Sequence, residues 1–381
     1  MKTEKYFSDK MLLFFTACVL ISFLAQIFKI GVIVNALYVV SLLTVLACYF
    51  LSGYINVTTA ILIVLVGIAA LARGLIYEAD YFTHILITIC IFICIDVSAF
   101  VKISVETYKT ISNMFLFTAL ILIVAYYIGP LKNSYFKWSD SICLNFPNPN
   151  VAGLWLTCFF VILFFSSFLF RKAKKLLFLV AAVALLPIVV ATQSRNSYFA
   201  CIFLVVCVLI TRTFNVKKAP KWLLITLAAL PLIVFFIYMF VIVKNMDFWQ
   251  EFFSLDNINK GIDTREHIWQ GVLDNFGDCF LIGNYHKYFD SQQHNSLLTI
   301  FCRFGAITTF VLCMLLYRTM KNLQDNSSFF ATLSLAAILF TGCFEASVFV
   351  GIAGMYLMLL LIPACASAGS DYFAKKSKET K

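Results

Sequence analysis

Twelve apolar runs, each close to the length of a bilayer crossing, govern what this chain can become. They fall at about 11–28, 32–51, 57–72, 81–100, 111–129, 150–170, 176–191, 196–213, 222–243, 295–317, 328–344 and 347–367. An all-α, polytopic transmembrane helix bundle of about 12 spans is expected, a single domain over residues 1–381. Composition points the same way. Apolar residues make up 62% of the chain and charged residues 13%, against about 45–50% and about 25% in soluble domains. That excludes a disordered chain, a collagen and a disulfide-knit secreted scaffold. Lys2, Lys5 and Lys10 precede the first run as in a signal peptide. No small-x-small cleavage site follows before the next run, so a retained helix is expected.

Orientation follows from the basic residues of the short loops. With the N-terminus in the cytoplasm, Lys2, Lys5, Lys10, Lys102, Lys109, Arg171, Lys172, Lys174, Lys175, Arg212, Lys217, Lys218, Lys221, Arg318, Lys321, Lys375, Lys376, Lys378 and Lys381 share one side, 19 of the 29 basic residues. Of the acids, 12 fall outside and 6 inside. Both termini are expected in the cytoplasm. The net charge of +10 is thus topological, and no nucleic-acid partner is implied. Residues 244–293 form one large exterior loop between spans nine and ten, long enough for helices packed on the bundle, and loops of that length are usually functional. Most of the 13 cysteines lie inside apolar runs as small hydrophobes. Cys143 and Cys279 fall in exterior loops and are candidates for a disulfide, although nothing in the sequence fixes their separation.

The polar residues gather at the exterior starts of helices that run inward, where free N–H groups and positive dipole ends favour anions. Span six opens with Pro147-Asn148-Pro149-Asn150, in which Asn148 suits the N-cap and Pro149 the first helical position. A capped start explains this equally well. Span eight opens with Thr192-Gln193-Ser194-Arg195. A capping Ser194 puts Arg195 in the first turn, where the dipole disfavours a cation unless an anion sits beside it. The alternative is an Arg reaching to the interface. In the long loop, Asp263 and Glu266 read as a capping box, followed by Trp269, Val272, Leu273 and Phe276 at helical spacing. Arg265 is four residues before Trp269, on the buried-facing side, unless it is a surface Arg paired with Asp263 or Glu266. Span ten opens with His294-Asn295-Ser296. A helix N-terminus pushes His toward its neutral form, as a general base requires, while a capping or interface His is the plainer reading. Arg303 lies nine residues on, roughly 13 Å along a helix, and needs an acidic partner, Asp96 or Glu345. No HExxH or other ligand spacing indicates a metal site, and no Walker A or glycine-rich nucleotide loop is present, so no metal, ATP or sugar-nucleotide cofactor is called for.

Taken together, Asn148-Pro149-Asn150, Thr192-Gln193-Ser194-Arg195, Arg265 with Trp269, and His294-Asn295 followed by Gly305 and Thr308 resemble the O-antigen ligase and polymerase superfamily of bacterial envelope glycosyltransferases. The likeness covers roughly Asn148 to Thr308. It departs from the family at Arg195-Asn196, where Arg-Gly or Arg-Ala is commoner. It departs more at Cys279-Phe280-Leu281-Ile282-Gly283-Asn284, where a Pro-Leu-x-Gly-x-Gly run is usual. The resemblance implies a multi-pass protein of the bacterial inner membrane with the architecture of the C-type membrane glycosyltransferases and a site facing the periplasm. Its donor would be a glycan on undecaprenyl pyrophosphate, transferred with inversion and without metal to lipid A–core by a ligase, or to a lipid-linked repeat unit by a polymerase. Arg195 and Arg265 would hold the pyrophosphate, and His294 would orient or deprotonate the acceptor hydroxyl. Asn148, Asn150 and Asn295 would bind sugar or tune His294. Gln193, Trp269 and Arg303 would complete the substrate site, and the apolar bundle would hold the polyprenyl tail. A lipid-linked oligosaccharide flippase would need midplane charges or paired broken helices.

Overall fold

The computed structural model describes residues 8–51, 56–73, 80–135, 140–243, 259–288, 293–326, 328–351 and 359–370. Its helices are α1 (Asp9–Ile27), α2 (Gly31–Leu51), α3 (Val57–Arg73), α4 (Asp80–Ser98), α5 (Val105–Tyr127), α6 (Pro149–Ser166), α7 (Lys172–Ala191), α8 (Arg195–Thr213), α9 (Lys221–Ala228), α10 (Leu230–Ile237), α11 (Asn259–Asp274), α12 (Phe276–Cys279), α13 (Tyr285–Tyr288), α14 (Ser296–Asn326), α15 (Phe329–Thr341), α16 (Ser347–Val350) and α17 (Leu359–Ser370). Among the described residues there is no β-strand, only one isolated bridge between Tyr135 and Ile142. The chain is all-α.

Hydrocarbon cannot hydrogen-bond a peptide group, so an apolar run that meets lipid closes its own backbone bonds as a helix. Seven of these helices are long and apolar enough to cross a membrane: α1, α2, α5, α6, α7, α8 and α14. The bent pair α9–α10 makes an eighth if it is one span, and α3, α4, α15 and α17 are shorter apolar helices. The packing is that of a protein embedded in lipid. α6 is buried on nearly all its faces. Val39, Leu43, Val180, Val183, Phe199 and Leu209 on α2, α7 and α8 point large apolar side chains outward, which a water-facing surface would not tolerate in such number.

The chain is irregular at three places. α9 and α10 bend by 72° at Ala229, and α10 runs into a π-turn at Tyr238–Ile242. α14 is interrupted at Gly305, whose φ of 87° lies outside any helix. Residues 342–346 form a turn between α15 and α16. The buried amide of Asn295, just before α14, donates to the carbonyls of Pro231 (2.7 Å) and Cys343 (3.0 Å), and so ties α10, α14 and the 342–346 turn together. Its Oδ1 accepts from the Leu298 backbone N–H and caps α14.

Gly305 shows why its position demands a glycine. The turn after α12 docks into the break: Ala306 N–H donates to the Phe280 carbonyl (2.7 Å) and Asn284 N–H to the Cys302 carbonyl (2.8 Å). A Cβ at Gly305 would collide with the Leu281 carbonyl, and one at Gly283, also at positive φ, with the Arg303 backbone.

α11 is amphipathic as its spacing predicts. Trp269 and Val272 are buried in a cluster with Phe235, Tyr238, Leu298 and Phe301, and Leu273 packs on its edge. The helix start differs from expectation. α11 begins at Asn259, so Asp263 lies inside the helix rather than at its N-cap, and Arg265 lies beyond the first turn. The predicted partners of Arg303 are engaged elsewhere. Asp96 accepts from Asn56 and Thr59, and Glu345 Oε1 accepts from Ser347. Arg303 donates through Nε to the Tyr288 carbonyl (3.2 Å) and lies over the Tyr285 ring. Cys143 and Cys279 are both free thiols. Cys143 donates to the Ser134 carbonyl, and Cys279 pairs with Cys302, whose hydrogen bond lowers the Cys279 thiol to about 7.

Candidate functional site

The site is built from the starts of α8 and α14, one face of α11 and the 342–346 turn. α8 and α14 begin in the same way. Each is preceded by a residue in the left-handed region, Gln193 (φ 55°) and His294 (φ 50°), then by Ser194 or Asn295 at the cap. A non-glycine residue there is strained, and such strain gathers where surrounding structure holds a side chain for a purpose.

His294 is held from both sides. Before it, the Gln293 carbonyl accepts the indole N–H of fully buried Trp269 at 2.6 Å. After it, Asn295 is fixed to Pro231 and Cys343. Trp269 is itself clamped, with Tyr238 and Phe235 edge-on at 5.0 and 5.4 Å and Phe344 stacked at 6.2 Å. The backbone on both sides of His294 is therefore fixed, and its Nδ1 is buried without a hydrogen-bond partner among the described residues.

Arg265 lies one helical turn before Trp269 on the same face, its guanidinium 5.5 Å from the Phe344 ring centroid. Burial pushes the Arg265 pKa below the usual guanidinium range, Glu345 and Tyr238 push it back up, and Arg195 pushes it down. An arginine remains cationic through such shifts. For His294, burial is again the largest cause of a lowered pKa, with Arg265 adding to it and Glu345 opposing it. At neutral pH the ring is uncharged. The sequence anticipates that direction but assigns it to the helix end, whereas burial is the main cause. These mutual effects place Arg265, His294 and Glu345 in one electrostatic unit, with Arg195 at its edge.

Arg195 is exposed at the start of α8. It borders a groove of about 490 Å³ with Gln193, Ser194, Tyr198, Val189 and Val190. Ser194 does not cap a backbone N–H. Its hydroxyl pairs with that of Ser197 at 2.8 Å, which leaves N–H groups of the first turn open beside Arg195. α6 starts against this place: a Cβ on Gly153 would come within 2.6 Å of Ser194 and Ser197. Asn148 caps α6 by accepting from the Asn150 N–H at 2.8 Å, and both Asn side chains are half-buried one turn before that contact.

Of the residues singled out in the sequence, Arg265 and His294 come together, with Arg195 and Gln193 alongside. Trp269 and Asn295 are clamps whose polar atoms are engaged with backbone, so they shape the site rather than face a ligand. Arg303 lies under the docked turn, held by Tyr288. The sequence reading missed Glu345 as a member of the unit. It is 4% exposed, its backbone carbonyl accepts from Ser296 Oγ at 2.6 Å, and its Oε2 has no hydrogen-bond partner among the described residues. The available signal was an acid in the polar break Gly342-Cys343-Phe344-Glu345 between two apolar runs.

Behind Trp269, an apolar groove of about 630 Å³ opens between the bent α9–α10 pair, α14 and the α11–α12 segment. Leu232, Phe235, Phe276, Phe280, Leu298 and Phe310 are among its walls. Phe235 and Leu298 also belong to the Trp269 cluster, so the groove reaches the aromatic cluster on which Arg265 and His294 border. Among the described residues no three His, Cys, Asp or Glu side chains converge as metal ligands. No family model, curated protein or solved structure matches the chain.

Proposed function

We propose that this protein is a bacterial inner-membrane glycosyltransferase of the O-antigen ligase type, with its site on the periplasmic side. It would move a glycan from undecaprenyl pyrophosphate to an acceptor sugar, lipid A–core in the ligase reading. Counting the bent pair and the four shorter apolar helices as crossings gives twelve spans and two cytoplasmic ends, in keeping with the basic loops. The observation that carries the proposal is that an arginine-bearing, partly buried polar unit and an apolar groove both border the Trp269 cluster. That is what a substrate with a diphosphate head and a long hydrocarbon tail requires.

In this reading Arg265 and Arg195 grip the diphosphate and stabilise the charge that grows on it as the glycosyl bond breaks, a task suited to the guanidinium fork. Neutral His294, pinned by Trp269 and Asn295, orients the acceptor hydroxyl. The groove behind Trp269 takes the first isoprenoid units of the tail, and Asn148, Asn150 and Gln193 border the sugar. The test is transfer by purified protein from undecaprenyl-pyrophosphate-linked glycan to a core acceptor. A strain lacking the protein separates ligase from polymerase. Finished polymer left on its lipid carrier supports the ligase, and a core bearing one repeat unit supports the polymerase. The broken helices also suit a carrier of the same lipid. Protein that moves labelled lipid across vesicles yet transfers no sugar would favour that reading instead.

A further inference from the structure

The transfer reading leaves one buried group without a task. Glu345 stands in the turn between α15 and α16, its peptide carbonyl fixed by Ser296 of α14. Ser347 donates to Oε1 through both its backbone N–H and its hydroxyl (2.7 Å for the latter). That orients the carboxyl group and leaves Oε2 buried with no donor among the described residues. Phe344, its neighbour in the chain, lies beneath the Arg265 guanidinium. His294, two residues before Ser296, presents a second buried polar atom, Nδ1, with no hydrogen-bond partner among the described residues. Buried acceptors are almost always paired. Two such atoms, one on a carboxyl oriented by Ser347 and one on a histidine between two fixed neighbours, suit a ligand that brings its own hydrogen-bonding groups, and a sugar hydroxyl is such a group.

We propose that Glu345 is the catalytic proton acceptor of this site, receiving at Oε2 the proton of the attacking hydroxyl. The inference rests on the transfer reading above. In the step, the acceptor oxygen forms a bond to the anomeric carbon of the donor sugar. The bond from that carbon to the diphosphate oxygen breaks, and its electron pair leaves with the diphosphate, held by Arg265 and Arg195. The hydroxyl proton passes to Glu345, whose carboxylate becomes the neutral acid. His294, uncharged and close by, accepts the same hydroxyl in a hydrogen bond and fixes its direction.

The test compares the wild type with Glu345→Gln and Glu345→Asp, full-length in lipid nanodiscs, by glycan transfer and by binding of sugar-free undecaprenyl pyrophosphate. Glu345→Gln is expected to lose roughly 100-fold or more in turnover, the usual worth of a proton acceptor. It should bind undecaprenyl pyrophosphate as well as or several-fold better than the wild type, because a like charge has been removed from the anion site. Glu345→Asp is expected to keep full binding and part of the turnover. Normal turnover by Glu345→Gln would overturn the proposal. So would parallel loss of binding and turnover, which marks a merely structural acid. If Glu345→Gln does not fold, Glu345→Asp carries the same two readouts, and equal loss of both would overturn it. Wild-type protein that binds the lipid but transfers no sugar would instead remove the transfer reading, and the proton role with it.

Discussion

Two buried carboxylates in this bundle are treated in opposite ways. Asp96, near the end of α4, is closed off. One oxygen accepts from Asn56 and the other from Thr59 at 2.9 Å, and Arg318 donates to Asn56 at 2.6 Å. Asn56 Oδ1 also accepts from the Thr58 N–H at the start of α3. Glu345 stands in the turn between α15 and α16, tied by its carbonyl to Ser296 at the start of α14. Among the described residues its Oε2 has no hydrogen-bond partner, and neither has Nδ1 of His294. Satisfied networks rigidify a fold. Open acceptors held by strained backbone are what a fold tolerates where a ligand will complete the set. A buried charge alone therefore does not mark function. Closure of its hydrogen bonds, or the lack of it, separates the two cases.

The comparison is tested most sharply at the open end. His294→Ala and Arg265→Ala are each expected to abolish transfer, a loss of about 1,000-fold or more if oxyanion-type stabilisation and proton handling both operate here. The purified variants should still elute as the wild type does. Near-normal glycan transfer by either variant would take that residue out of the mechanism. Arg195 is exposed and at the edge of the unit, so its effect should be smaller. Arg195→Lys is expected to lose about 10- to 100-fold, because a point charge does not replace the bidentate fork. Full activity of the lysine variant would show that charge alone is required there.

Much of this was legible in the chain, and the parts that were not share a cause. A run such as 196–213 has one solution in hydrocarbon, so helix after helix could be placed from hydropathy. Arg265 and Trp269, four residues apart, share a face by helix geometry alone. Asn295 misled because its partners, Pro231 and Cys343, come from elements some 50 to 60 positions away. No local pattern says that its amide will tie α10 and the 342–346 turn to the start of α14. Glu345 escaped for the same reason, since its company is Arg265 and His294. Asp263 with Glu266 fits a capping box, yet the helix continues back to Asn259. The spacing of Gly305 after His294 was visible, but its purpose, a break that admits the Phe280–Asn284 turn, needed the docked backbone.

At the closed end the expected effect is on stability rather than chemistry. Asp96→Ala leaves Asn56 and Thr59 with buried donors and no acceptor, a loss of about 1–3 kcal/mol for each group stranded in this way. Thermal unfolding in detergent should register a clear fall in midpoint. The transfer rate per folded molecule should hold at temperatures where the variant is intact. Loss of transfer without loss of stability would mean that the Asp96 network serves the reaction, and the distinction drawn from closure would fail.

The smallest effect is a matter of protons. Burial and Arg265 lower the pKa of His294, and Glu345 partly restores it. The ring thus stays neutral in the folded protein at pH values where a free imidazole, near 6.5, begins to charge. The sign follows directly. Below about 6.5 the unfolded chain binds this proton more readily than the native state. Stability is then lost as pH falls from that value toward the lowered native pKa, and stays level below it. Transfer that needs neutral His294 should show its acid limb at the native value, below the ordinary imidazole range. Selective labelling of the four histidines, with His294→Ala to assign its signal, would follow the titration. Arg265→Gln should move it upward and Glu345→Gln downward. A His294 signal indifferent to both substitutions would show that the three side chains do not form one electrostatic unit, however close the folded chain brings them.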